Sequence, residues 1–190
     1  MEYRGVISIF PQNLRMKFLI TLLILCLPDL AGAQDTTKIK HGALMLSQAM
    51  MKGDVETLVA HTYPRALAMT GGKEKVTAEV QKFLKELAAQ GMSFRSVEFG
   101  NVSKIVKAGT ELHCTIPHTI SLTVKGGYVS ARSSIIGISA DQGKTWKYIS
   151  AGNIPLETLK KVLPNFNPEL KIQQQTAPVF HQDKAGTTSN

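Results

Sequence analysis

The feature that most limits how this chain can fold is the run from Leu112 to Val124. Leu112, Cys114, Ile116, Ile120, Leu122 and Val124 all occupy even positions, with Thr115, Thr119, Ser121 and Thr123 between them. Side chains alternate faces along a strand, so this spacing makes one apolar face and one hydroxyl-rich face. It predicts an antiparallel strand with the apolar face on a core and the hydroxyl face near water. Unbroken, the run would extend roughly 45 Å, beyond the usual strand. Pro117 cannot donate a ladder hydrogen bond, so a bulge or bend is expected there. A long bent strand belongs in a strongly curved sheet.

Gly126-Gly127 follows, a two-residue hairpin signal between two strand-like runs. In the next run, Tyr128 to Ala140, Val129, Ala131, Ser133 and Ile135 share one face while Ile136 and Ile138 share the other. Either a bulge near Ser134 shifts the register, or both faces are buried. A turn then leads to a short strand from Trp146 to Ile149. In that turn Asp141 is placed to accept hydrogen bonds from the amides after it, and Gly143 to supply a left-handed residue. Trp146 packs over the loop or into the core. Ser139, Asp141, Gly143, Thr145 and Trp146 resemble the Asp-box of sialidases and related proteins. That resemblance implies a hairpin-stabilising turn away from any catalytic centre. The box recurs blade by blade in that family, whereas this chain carries one copy.

Upstream of the strands the pattern is helical. Ile39, Ala43, Leu46, Ala49 and Met50 recur at threes and fours over residues 37–52. Gly53-Asp54 breaks the pattern and Asp54 can cap a second helix, Val55 to His61. Tyr63-Pro64 interrupts again, because the residue before proline avoids helical angles. A short turn follows, Arg65 to Met69. Val76, Val80, Phe83, Leu84 and Leu87 then stripe a helix over residues 73–89, stopped by Gly91. Residues 93–100 and 102–107 read as strands, and Pro155 to Leu163 as a short helix after the hairpins. From residue 177 the composition favours a disordered tail. Helices followed by four to five antiparallel strands define an α+β domain over residues 34–176.

Residues 1–33 read as a leader. Met16 is the expected start, Lys17 precedes an apolar run from Phe18 to Leu27, and Ala31-Gly32-Ala33 is a small-x-small cleavage site. The run is too short to span a membrane, and Leu25 before Cys26 argues against a lipid anchor. The chain is thus expected to be secreted or periplasmic, without a transmembrane segment in its mature form. Of its two cysteines only Cys114 would survive cleavage, so no internal disulfide is expected. Cys114 lies on the apolar face of its strand and reads as a core residue. The net charge of +8 allows attraction to anionic glycans or lipid surfaces. No basic cluster interleaved with aromatics points to nucleic acid.

Gly53-Asp54, Tyr63-Pro64, Gly71-Gly72-Lys73, the stretch Ser96 to Gly100 and the Ser139–Trp146 turn, in that order, resemble small exported proteins of unknown function from Bacteroidetes-type bacteria. Helices first and a long bent meander after resemble the nuclear-transport-factor-two-like superfamily, a cystatin-like α+β cone. The resemblance implies amino-terminal helices packed in a strongly curved sheet, with an apolar pocket between them. It also implies homodimerisation through the open sheet face, for which the hydroxyl-rich side of the long strand is available.

Enzymes of that superfamily carry a buried carboxylate, His or Tyr in the pocket. The candidates here are His61, Tyr63 and Glu98, followed by Glu111 and His113; none matches a catalytic set by spacing. His113, Cys114 and His118 suggest a metal cluster, but His113 and His118 face opposite ways. Cys114 and His118 lie about 13 Å apart at strand rise, too far to share an ion. No nucleophile elbow, phosphate loop or dinucleotide fingerprint is present. No cofactor is expected. The leading expectation is a non-catalytic domain holding a small apolar ligand or a protein partner in its cone. The alternatives are a general acid–base enzyme using His61, Tyr63 or Glu98, and a basic module for anionic surfaces.

Overall fold

The structure is a computed structural model that describes residues 30–183. Residues 36–190 form one compact unit and residues 1–35 another, of which only helical backbone from Leu30 is described. The expected start, the apolar leader and Cys26 lie outside the described residues, as do residues 184–190. Four helices come first: α1 (Leu30–Lys52), α2 (Val55–His61), α3 (Pro64–Met69) and α4 (Gly72–Ala89). Then follow β1 (Ser93–Phe99), β2 (Val106–Ala108), β3 (Glu111–Val124), β4 (Gly127–Ser139), β5 (Lys147–Ser150), α5 (Leu156–Val162) and β6 (Val179–Gln182).

The helix breaks fall where residue chemistry requires them. Gly53, at φ 68, closes α1, and Asp54 Oδ1 accepts from Thr57 N at 3.1 Å to cap α2. Tyr63-Pro64 separates α2 from α3. There Tyr63 N donates to Tyr148 O at 3.0 Å, fastening the break to β5.

The sheet is six-stranded, antiparallel and not closed, in the order β1-β3-β4-β5, with β2 also on β3 and β6 also on β4. β3 and β4 pair in unbroken register from Leu112↔Ser139 to Val124↔Gly127. The bulge expected at Pro117 is therefore absent, and the reason is directional. Pro117 O accepts from Gly100 N, while the N–H and C=O of Thr115 both meet Ser103. The backbone groups of these odd residues point away from β4, so the missing proline N–H costs the central ladder nothing. The register shift lies instead in β1, between Phe94 and Ser96. The hairpin turn is Lys125-Gly126, one residue earlier than the Gly-Gly pair suggests.

Both faces of the central hairpin are covered, which explains the two-sided pattern of β4 without a bulge. On one face Cys114, Ile116, Ile135, Trp146 and Tyr148 close with Ile39 and Ala43 of α1. On the other, Ile136, Ile138 and Ile149 pack with Leu159, Val162 and Leu163, and with Phe166 and Ile172 beyond α5. The hydroxyl-rich face is thus not near water along its whole length: Thr115 is 3% and Ser121 6% exposed. Around Ile136 and Ile138 that face is occupied by the chain's own carboxyl-terminal segment. The segment then follows the free edge of β4. Thr176 N donates to Arg132 O at 3.0 Å, and β6 pairs with Gly127–Ser130, where composition suggested a tail.

One glycine lets α1 approach the sheet. Tyr148 Oη donates to Ile39 O at 2.8 Å, and a Cβ on Gly42 would collide with the Tyr148 ring and hydroxyl. Nothing larger than glycine leaves room for that bond.

Candidate functional site

Beyond this closely packed end, the same sheet face opens into a cavity of about 570 Å³. Its floor is the outer half of the hairpin, Ile120, Leu122, Val129 and Ala131, with Phe94 and Val97 of β1 beside it. Leu46, Met50 and Met51 of α1, Leu58 of α2 and Phe83 of α4 supply the opposite wall. Phe83 meets Phe94 edge to face, their centroids 6.3 Å apart. The alternation that buries Ile116 here points side chains into open space, so Ile120, Leu122 and Val129 are only half-buried. Among the described residues, no Lys, Arg, Asp or Glu lines the cavity, despite the strongly basic composition.

The polar exceptions at the floor are His118 and Ser133. They are direct cross-strand partners on the cavity face and each is 5% exposed. His118 Nδ1 is buried without a hydrogen-bond partner among the described residues. Burial lowers the pKa of this imidazole from its ordinary value and favours the neutral ring. Of the other polar lining groups, Tyr148 Oη donates to Ile39 O and Ser130 Oγ meets His181 Nε2 at 2.8 Å, while Ser47, Ser150, Asn153 and Gln175 complete the lining.

None of His61, Tyr63 and Glu98 lines this cavity. His61 Nδ1 donates to Thr57 O at 2.9 Å and closes the last turn of its own helix. Glu98 is exposed on β1, opposite Thr119. Tyr63 lies over the opposite sheet face, where its hydroxyl donates to Glu111 Oε1 at 2.9 Å. His113, fully buried, donates from Nε2 to Glu111 Oε2 at 3.0 Å. Burial and Glu111 push the Tyr63 phenol up to about 12. The structure therefore unites Tyr63, Glu111 and His113 in a chain that pins the α2–α3 break to β3, and leaves His61 and Glu98 apart from it. A shallow cleft of about 360 Å³ flanks Tyr63, with Arg65, Asp141 and Lys147 on its rim.

Cys114 is a core residue, its thiol pushed up to about 12 by burial. His113 shares no face with Cys114 and His118. Among the described residues, no group of three His, Cys, Asp or Glu side chains is placed to hold a metal.

The Ser139–Trp146 turn has the hydrogen bonds its residue types require. Asp141 Oδ1 accepts from Thr145 N at 2.9 Å, and Asp141 Oδ2 from Thr145 Oγ1 at 2.7 Å. Ser139 Oγ donates to Asp141 Oδ1 and accepts from Gly143 N, both at 2.8 Å. These bonds hold the Asp141 carboxyl at about 2. Gln142, at φ 62, joins Gly143, at φ 88, in the left-handed region. The turn delivers Trp146 into the core beside Cys114 and Tyr148.

His118 and Ser133 were not singled out as a pair in the sequence, although a signal exists. His118 holds an even position in a stripe otherwise made of Leu, Cys, Ile and Val. Its partner Ser133 becomes visible only once the register is known.

No protein-family model matches the chain, and no curated protein or solved structure matches it significantly. Among the described residues, no helix is long and apolar enough to cross a membrane.

Proposed function

We propose that this is an exported, non-catalytic domain that holds a small apolar ligand in its cone. The observation that carries the reading is the cavity of about 570 Å³ between the curved sheet and α1, α2 and α4, walled by Leu, Met, Ile, Val and Phe. Its volume falls within the span of small-molecule sites, roughly 300–1,000 Å³. Its chemistry matches an apolar guest, because the lining holds no charged group and the three acid–base candidates lie outside it. Methionines at 50 and 51 adapt to guests of varied shape. Export is supported by the leader-like pattern of residues 16–33. The helix-then-meander order and the pocket between the layers support placing the fold in the nuclear-transport-factor-two-like class.

The test is titration of the protein with an apolar naphthylamine fluorophore, comparing the natural chain with Ala131→Leu, which places a larger side chain in the floor. Saturable fluorescence enhancement in the natural chain, lost or greatly weakened in Ala131→Leu, supports the reading. A flat titration of the natural chain overturns it.

A further inference from the structure

Of the polar groups that line the mainly apolar cavity, two meet on its floor. His118 and Ser133 face one another across the central hairpin, both nearly buried on the cavity face. His118 Nδ1 has no partner, and Ser133 Oγ makes no hydrogen bond within the described residues. An unpaired buried polar group costs free energy, roughly 1–3 kcal/mol. Leu or Val at position 118 would extend the stripe of Ile116, Ile120 and Leu122 without that cost. His113, five residues earlier, also has a buried Nδ1 without a partner among the described residues, but it lies outside the cavity and its Nε2 is held by the Glu111 carboxylate.

We infer that the ligand is an uncharged amphiphile, a long apolar body bearing one hydroxyl or carbonyl that hydrogen-bonds to His118 and Ser133. The inference rests on the cavity-binding reading and specifies its ligand class. A hydroxyl both donates and accepts, so it satisfies an imidazole nitrogen and a serine hydroxyl together. A carboxylate is disfavoured, because no Lys or Arg lines the cavity and a buried charge without a partner is costly. Burial also keeps His118 neutral, so the imidazole does not provide the missing cation.

The experiment is displacement of the naphthylamine probe from the full chain at neutral pH by decane, decanol and decanoate. Decanol is expected to displace the probe at about tenfold lower concentration than decane, the worth of one good hydrogen bond. Decanoate is expected to be weaker than decanol. In His118→Leu and in Ser133→Ala the advantage of decanol over decane, measured within each variant, should shrink to near unity. Ser133→Ala, the smaller change, decides the matter if His118→Leu does not fold. Equal displacement by decanol and decane, or an advantage that survives both variants, overturns the polar anchor and leaves the cavity reading standing. Tightest displacement by decanoate overturns the uncharged class. Failure of the probe to bind the natural chain overturns the anchor and the cavity reading together.

Discussion

The face that β3 and β4 turn toward α1 is solid at one end and hollow at the other. At the solid end Cys114, Ile116, Ile135, Trp146 and Tyr148 close against Ile39 and Ala43. At the hollow end Ile120, Leu122, Val129 and Ala131 continue the same alternation but line an open volume of about 570 Å³. The strands do not make the difference, since their alternation runs through both ends, broken only by the His118–Ser133 pair. The helix does. Gly42 and Ala43 let α1 come close enough for Tyr148 to reach Ile39 O, whereas Leu46, Met50 and Met51 stand over open space. Alternation on a strand sets which way side chains face; the residues on the covering helix set whether they meet anything.

Truncation at the two ends should break this equivalence most visibly. Ile116→Ala removes a fully buried side chain from a closed cluster, and a loss of about 3–4 kcal/mol is expected in urea unfolding. Leu122→Ala takes the same kind of apolar mass from a wall already half-exposed to the cavity, and should lose only about 1 kcal/mol. Equal losses at the two positions would mean that the hollow end is filled in solution.

A smaller effect tests how the solid end is assembled. The Ser139–Trp146 turn places Trp146 in the packed cluster, and Asp141 is its hub, with a carboxyl held at about 2 by bonds from Thr145 and Ser139. Because the folded pKa is depressed, the stabilisation is complete above the unfolded value of about 3.9 and is lost as pH falls from there through about 2. Unfolding followed between neutral pH and pH 2 should therefore show a loss in the natural chain that is reduced in Asp141→Asn. Parallel profiles for the two proteins would show that the carboxylate does not hold the turn. The hollow end has no carboxylate in its lining to add to this loss.

How much of this could be read from the chain follows the same division. The alternation of residues 112–124, the Asp54 cap and the hydrogen-bond chemistry of the Asp141 turn are local, and local spacing determined them. The coverage of the second face was not legible. Leu159, Val162, Leu163, Phe166 and Ile172 are spread over a short helix and an irregular stretch whose pattern fits no single period. The hydroxyl-rich face looked solvent-facing because its cover is supplied from far along the chain. The strand β6 was hidden for a related reason: its side chains are mostly exposed, and backbone pairing to β4 rather than burial defines it. The catalytic candidates were chosen for their chemistry and a helix break. Only the register reveals that Tyr63 reaches Glu111 on the far face while His118 and Ser133 meet in the cavity.

The smallest expected effect has the opposite sign. His118→Leu replaces an unpaired buried imidazole by a side chain that suits its apolar neighbours, so the ligand-free protein should gain about 1 kcal/mol. The gain should also depend on pH. The folded imidazole has a lowered pKa, so in the natural chain stability is complete above the unfolded value of about 6.5. It declines as pH falls below that value, where the unfolded chain takes up the proton first, and levels off once the folded pKa is passed. His118→Leu removes this part of the decline, so its advantage widens toward mildly acidic pH. The same replacement at His113 takes a hydrogen-bond partner from Glu111 and should destabilise at every pH. If both replacements destabilise alike, His118 is a satisfied core residue and the two ends of the sheet face are alike in kind. A gain at 118 against a loss at 113 marks His118 as a group kept at the expense of stability, as expected of one that meets a ligand.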